Sequence, residues 1–207
     1  METGLILLEI SILFIVPVIL IFLGLPGKKY RLHLFAFIFL IAATITYLRH
    51  WPLQKLGIDL GHITNGLFPY SAFTLLGIIF VVALAKALQY KSTPKWWKIP
   101  HFIFGFILIS IAQEFLYRGF LMPELESVFH SIVLIVLVNA ALFSFLHIIY
   151  PNRLVNLLLA FIGGLCFAAL YYHYPNLILI SLSHMALNFA VVYFGMFSFR
   201  DNKELGS

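Results

Sequence analysis

Residues 101–121 read HFIFGFILISIAQEFLYRGFL, an apolar run that carries Gln113, Glu114 and Arg118 close to its end. About 20 consecutive, mostly apolar residues are enough for a helix to cross a bilayer. Ionisable groups inside such a span are costly, and they tend to face a bundle interior or a water-filled cavity. This stretch therefore predicts a membrane-spanning helix with its polar side inside a bundle, and it marks the three polar residues as candidate functional groups.

The composition of the whole chain also indicates a membrane protein. Of the 207 residues, 62% are hydrophobic and 10% are charged, whereas a soluble domain carries roughly a quarter charged residues. The basic residues cluster at the ends of apolar runs, which is typical of membrane topology and not of nucleic-acid binding. The single cysteine, Cys166, excludes an intrachain disulfide framework. We predict an all-α, polytopic transmembrane helix bundle that contacts lipid and has no nucleic-acid partner.

Apolar runs separated by proline, glycine and charged residues predict about seven spans. We interpret the chain as one integral membrane domain over 1–207, with N-terminal spans and a loop to about 99, a core at about 100–197 and a tail at 198–207. The predicted spans are about 5–25, 32–48, 67–89, 101–121, 131–149, 154–173 and 176–197.

The distribution of basic residues predicts the orientation in the membrane. With seven spans and the first loop inside, ten basic residues fall on the inner side and three on the outer side. Because cytoplasmic loops are enriched in Lys and Arg, we expect the N-terminus outside and the C-terminus in the cytoplasm. The inner residues are Lys28, Lys29, Arg31, Lys86, Lys91, Lys95, Lys98, Arg153, Arg200 and Lys203, and the outer ones are Arg49, Lys55 and Arg118.

Polar residues form a cluster in each of three predicted spans. In the first, Glu114 and Arg118 are four residues apart and share a helix face, which also suits a purely structural ion pair. The second cluster is His147, which follows Phe143 by four residues, and we expect Asn139 to add polar lining on roughly the same face. A lone histidine near the end of a span is more often structural than catalytic. The third cluster is a polar stripe along one helix face, formed by Ser181, His184 and Asn188. Polar groups in such a stripe could equally serve to hold two membrane helices together.

Together the three clusters predict a hydrophilic chamber inside the bundle. A carboxylate and a histidine can deprotonate water, and a His–Asn pair can donate hydrogen bonds to a tetrahedral oxyanion. The patterns GxSxG and HExxH are absent, and no serine or cysteine is an obvious activated nucleophile. The residue set therefore favours acyl transfer to water, and no cofactor is predicted.

The three clusters resemble the motifs of the CPBP intramembrane proteases, which include CAAX prenyl endopeptidases of the Ras-converting type. The family pattern is EExxxR, then FxxxH, then HxxxN, each on its own helix. The corresponding segments here are QEFLYR (113–118), FSFLH (143–147) and HMALN (184–188), in the same order and spacing, and RGFL (118–121) also matches. The resemblance covers about residues 100–195 and implies a glutamic intramembrane protease.

The resemblance implies a role for each matching residue. The first glutamate of EExxxR works with His147 to activate water, and that glutamate position is occupied here by Gln113. His184 and Asn188 stabilise the oxyanion, while Glu114 and Arg118 pair and organise the site.

The amide at position 113 raises the question of activity. An amide cannot take a proton from water near neutral pH, and loss of a general base commonly lowers the rate by about 10²–10⁴-fold. We hypothesise that the chain is an engineered, inactive Glu-to-Gln variant. A natural pseudoenzyme and a chain in which Glu114 alone serves as the base are the alternatives, and a genomic codon for Gln at this position would exclude engineering.

The predicted helix boundaries conflict with the predicted site. Gln113 lies about 12 Å from the outer end of its span, whereas His147 lies about 24 Å from that side. The region 122–130, MPELESVFH, is where we expect the discrepancy to arise, as a short amphipathic segment that shifts the register.

The sequence leaves three other functions open. One is a proton-coupled transporter, which would need a polar path through the bilayer on both sides, whereas the motifs lie on the C-terminal spans. A zinc-dependent intramembrane protease would use Glu114, His147 and His184 as ligands, although their spacing is not a recognised zinc pattern. A non-catalytic membrane immunity or binding protein would use the chamber for recognition. For the peptidase, the expected partner is a membrane-associated protein or peptide substrate. The short chain without eukaryotic targeting features favours a prokaryotic inner membrane.

Overall fold

A computed structural model describes residues 3–59, 63–92, 102–149 and 153–194, and within these ranges the chain forms seven helices and no strand. The predicted all-α bundle is thereby confirmed. The predicted tail at 198–207 and the inner-side residues Lys95, Lys98, Arg200 and Lys203 lie outside the described residues. The helices are α1 (Thr3–Phe22), α2 (Arg31–Leu48), α3 (Ile63–Ala87), α4 (102–128), α5 (Ile132–Phe145), α6 (Arg153–His173) and α7 (Leu177–Tyr193).

Most of the helices present apolar side chains to the outside of the bundle. Five of the described helices are long and apolar enough to cross a membrane, namely α1, α2, α3, α5 and α6. The span that contains α5 also includes the turn Leu146–Ile149 that follows it. Phe68 and Leu76 on α3 are examples of large side chains that remain exposed. Exposed apolar surface on this scale is favourable in lipid and costly in water.

Helix α4 is the central helix of the bundle. Its residues 116–125 are all buried, and α1, α2, α5 and α7 pack against it along its length. Elsewhere α3 packs along α7, and α5 packs along α6. A helix that is surrounded by protein can carry charged groups within a membrane, because its neighbours supply the partners.

Helix α4 continues past the end that the sequence predicted. The predicted stop at residue 121 relied on Pro123, but the helix runs through this proline to Val128. A π-helical segment, Phe115–Leu121, precedes the proline, and the π-helical segment Ser11–Ile15 likewise precedes Pro17 in α1. A proline ring clashes with the carbonyl four residues earlier, and a widened turn before it relieves that clash.

The longer helix removes the conflict between the predicted depths of the site residues. Measured from Val128, Gln113 lies about 22 Å along its helix, and His147 likewise lies about 22 Å from Ile132 at the start of α5. The region 122–130 therefore does contain the discrepancy, as an extension of α4 rather than a separate amphipathic segment.

A charged cluster joins three helices at one end of the bundle. Arg49, just after α2, donates to Glu9 on α1 at 2.6 and 2.7 Å and to Glu124 on α4 at 2.5 Å. Arg118, which was predicted among the basic residues of the outer side, lies instead on α4 and is fully buried within the bundle. The basic residues near this end are thus Arg49 and Lys55.

Candidate active site

The first motif places its two charged residues in the interior, facing α6 and α7. Glu114 Oε1 contacts Nδ1 of His184, 70 residues later in the chain. The other carboxylate oxygen lies 3.3 Å from Nε of Arg118, an ion pair between two side chains with no exposed surface. Glu114 therefore links α4 to α7, and the guanidinium supplies the positive charge that a buried carboxylate requires.

Arg118 is held by aromatic rings as well as by Glu114. Its guanidinium carbon lies 4.8 Å from the ring centre of Phe143 and 5.6 Å from that of Phe167. Nη2 also donates a long hydrogen bond of 3.3 Å to the carbonyl of Gly164. Ring faces attract a desolvated cation, so this surrounding stabilises the charge where no water is close.

Phe143 connects the two histidines of the site. Its ring centre lies 5.1 Å from the ring of His147 and 5.8 Å from the ring of His184. Its carbonyl is 3.0 Å from Nδ1 of His147, one turn later. The phenylalanine of the FxxxH motif therefore has a physical role, because it contacts Arg118 and both imidazoles.

The third motif lies on α7 and faces α4. Asn188 Nδ2 donates to the hydroxyl of Ser110 at 3.3 Å, and Ser110 is on the same face of α4 as Glu114. The Ser181 hydroxyl instead donates to the carbonyl of Leu177 at 2.6 Å, within its own helix. His184 and Asn188 thus belong to the site, whereas the described contact of Ser181 is local.

A cavity of about 340 Å³ ends at these polar residues. Its polar members include His147, His184 and Asn188, and the rest of the lining is mainly apolar. The predicted chamber is therefore a largely apolar cavity with polar groups on one wall. Helix α3 also contributes, which the sequence did not suggest. The apolar lining includes Phe73, Leu76, Phe80, Val81, Leu84, Leu159, Ile162, Phe167, Leu187 and Val191.

Two residues that were predicted to belong to the site, Gln113 and Asn139, do not line the cavity. Gln113 is buried on α4 but is not among the described residues that line the cavity. Asn139 does not line the cavity either; its Nδ2 donates to the carbonyl of Tyr117 at 2.6 Å, inside the π-helical segment. The structure thus groups Glu114, Arg118, His147, His184 and Asn188, and assigns Asn139 to the support of α4.

The described residues contain no group of three or more His, Cys, Asp or Glu side chains arranged to hold a metal ion. Two of the candidate zinc ligands contact each other directly, through Oε1 of Glu114 and Nδ1 of His184.

Sequence reasoning missed three contributors to the site. Ser110 lies four residues before Glu114, so the same i, i+4 spacing that linked Glu114 to Arg118 could have identified it. Gly164 contacts Arg118 through its carbonyl, and Phe167 contacts the same guanidinium through its ring. No local signal in the sequence connects either residue of α6 to α4.

Comparison with known proteins supports the resemblance of the three motifs. Residues 95–190 match a family model described as Type II CAAX prenyl endopeptidase Rce1-like, and this range includes all three motifs. No curated protein and no solved structure matches the chain. Together with its apolar helices, this match indicates an integral membrane protein with, in general terms, the activity class of a CAAX-type endopeptidase. Residues 95–190 are therefore similar to the CAAX protease family.

Proposed function

We propose that this protein hydrolyses a peptide bond in a membrane-associated protein or peptide, using water activated by carboxylate and histidine groups. The observation that carries the proposal is the contact of Glu114 with His184 at the polar end of a cavity that His147 and Asn188 also line. Carboxylate, imidazole and amide groups in one place supply a general base and hydrogen-bond donors for attack of water on a carbonyl.

The family pattern supplies the starting assignment of roles. Residue 113 and His147 activate water, His184 and Asn188 donate to the oxyanion, and Glu114 with Arg118 holds the site together. The long 3.3 Å bond from Asn188 to Ser110 supports its part of this assignment, because a weakly held amide can turn to a substrate oxygen.

The cavity supports a substrate segment with apolar side chains. Its walls on α3 and α6 are mainly apolar, and the polar groups are confined to one wall. The segment that is cut must be extended or locally unwound, because a regular helix keeps its peptide groups in internal hydrogen bonds.

Gln113 is part of the proposal. If it occupies the position of the base glutamate, the Gln113→Glu form should cleave about 10²–10⁴-fold faster than the chain as written. An engineered origin of Gln113 stays a hypothesis, and a genomic codon for Gln would contradict it.

The test compares the chain as written with its Gln113→Glu form in the same membranes, counting new N-termini by mass spectrometry. Products made by the Gln113→Glu form and lost when His147→Ala is added support the peptidase function. Products that persist after His147→Ala contradict the role of His147 in activating water, and products from neither form contradict the peptidase function.

A non-catalytic immunity or binding protein is the second candidate, and the amide at position 113 favours it. This candidate predicts that neither form releases new N-termini. It also predicts that His147→Ala and His184→Ala leave partner binding unchanged, as measured by crosslinking in membranes.

A further inference from the structure

We propose that Glu114 and His184 form a general base in their own right, with Nε2 of His184 taking the proton from the attacking water. This inference rests on the proposed peptidase function. It assigns His184 a role other than oxyanion donor, and it means that the chain cleaves its substrate at a measurable rate with Gln113 in place.

The contact with Glu114 determines which nitrogen of His184 is protonated. An ionised carboxylate only accepts hydrogen bonds, and Arg118 compensates a negative charge on Glu114 from 3.3 Å. Nδ1 of His184 therefore carries the proton that it shares with Glu114 Oε1. A neutral imidazole has one N–H, so Nε2 carries a lone pair. A lone pair can accept a proton from water, and it cannot donate to an oxyanion.

The same contact stabilises the protonated state that the reaction creates. When Nε2 takes a proton, the imidazolium remains paired with Glu114, as in other carboxylate–histidine pairs that orient and stabilise a catalytic imidazole. The ring of His184 also packs 5.3 Å from Phe167 and 5.8 Å from Phe143, which restricts its rotation. A fixed base loses little freedom in the transition state.

Access to the reacting water also distinguishes His184 from Gln113. A general base must lie within hydrogen-bond reach of the proton that it removes. His184 lines the cavity, whereas Gln113 is not among the described lining residues. Of these two residues, His184 is thus the one that can meet a water molecule in this cavity.

The oxyanion donor changes as a consequence. His147 places Nδ1 3.0 Å from the carbonyl of Phe143, which only accepts, so its Nε2 is also an acceptor when the ring is neutral. Asn188 lies one turn after His184 and also lines the cavity. Its amide N–H₂ group can donate a hydrogen bond whatever the protonation states of the two histidines. Asn188 is therefore the group that donates to the oxyanion.

The reaction balances without any other reagent. Water loses a proton to Nε2 of His184 while its oxygen bonds to the carbonyl carbon, and the carbonyl oxygen becomes an anion that Asn188 binds. The carbon–nitrogen bond then breaks, and the proton on Nε2 moves to the leaving nitrogen. The products are a carboxyl group and an amine.

The decisive variant is His184→Gln, because glutamine retains a hydrogen-bond donor and is not a base. Membranes that contain the full chain as written are compared with those that contain His184→Gln, and new N-termini are counted. We expect His184→Gln to lower product formation at least about a hundredfold. The matched control on α7 is Ser181→Ala, whose hydroxyl bonds within its own helix and which should cleave like the unchanged chain.

Each outcome separates this inference from the proposed function. If the chain as written cleaves and His184→Gln retains most of the activity, His184 is not the base, although the protein is a peptidase. If cleavage appears only after Gln113→Glu, residue 113 is the base and the inference is wrong while the peptidase function stands. If no form cleaves, both fail.

A second measurement covers the case in which His184→Gln does not fold. In His184→Gly, added imidazole should restore cleavage and added pyrazole should not, because the two rings have similar shapes and pyrazole is a far weaker base. Equal rescue by both rings would mean that His184 only fills space, and rescue by neither in a folded variant would contradict the base role.

Discussion

Asn139 on α5 donates a 2.6 Å hydrogen bond to the carbonyl oxygen of Tyr117, in the π-helical segment of α4. Both residues are buried, and the Tyr117 hydroxyl in turn donates to the carbonyl of Leu142 at 3.3 Å. This pair of contacts fastens the widened part of α4 to α5, directly after the turn that carries Glu114. Support of the α4 backbone is thus the role of Asn139.

Replacing Asn139 with Ala should destabilise the protein. The Tyr117 carbonyl would lose this donor in a buried position, which costs about 1–3 kcal/mol. Thermal unfolding in detergent should show a lower Tm for Asn139→Ala, and the exposed Asn65→Ala on α3 should show little change. An unchanged Tm for Asn139→Ala would mean that the carbonyl finds another partner.

Removal of Arg118 should be more damaging than removal of the Glu114–Arg118 pair. Arg118→Met leaves the carboxylate of Glu114 buried without its cation, and breaking a buried ion pair in this way costs about 3–5 kcal/mol. The double variant Glu114→Gln/Arg118→Met carries no unpaired charge, so it should be more stable than Arg118→Met. Equal or lower stability of the double variant in denaturant unfolding would contradict this account.

The cluster around Arg49 should contribute to stability independently of the active site. Arg49→Met leaves Glu124, whose side chain is 1% exposed, without the guanidinium that it contacts, so the Tm should fall. Adding Glu124→Gln should recover part of the loss. The matched control is Lys55→Met, because exposed Lys55 lies 3.8 Å from the ring of Trp51 and such a contact contributes only about 0.5–1 kcal/mol.

Two adjacent glycines of α6 should respond differently to substitution. A Cβ at Gly164 would lie 3.2 Å from both Ala140 Cα and Phe143 Cδ1, whereas a Cβ at Gly163 would meet nothing within 4 Å. Gly164→Ala should therefore lower the Tm and Gly163→Ala should not.

Because Gly163 lines the cavity, Gly163→Phe should fill that space and suppress cleavage of substrates with large apolar residues. The number and sequence of new N-termini measure this effect. Unchanged cleavage by a stable Gly163→Phe variant would show that the substrate does not enter this cavity.

The predicted orientation can be tested with single cysteines in a Cys166→Ser background. With the N-terminus outside, Lys55→Cys should react with a membrane-impermeant maleimide added to intact cells. Lys91→Cys, exposed at the opposite end of the bundle, should react only after the membrane is permeabilised. Reversed labelling would overturn the orientation that the basic residues predict.

Several features could be predicted because they depend on neighbouring residues. The apolar runs identified the helices, and the spacing of Glu114 to Arg118 identified a shared face that the 3.3 Å ion pair confirms. The end of α4 was predicted wrongly, because a proline stops a helix only when the preceding turn cannot widen. Here the segment Phe115–Leu121 widens, and burial on all sides stabilises it.

By itself, the sequence determined that this chain is a helical membrane protein with three polar motifs on separate helices. Both properties follow from apolar length and from the helical repeat, which are local. Only the tertiary structure decided that Glu114, and not the adjacent Gln113, contacts His184. Successive residues on a helix point about 100° apart, so the choice between them depends on how α4 is rotated against α7. That rotation is determined by packing between segments 70 residues apart, which no local pattern encodes.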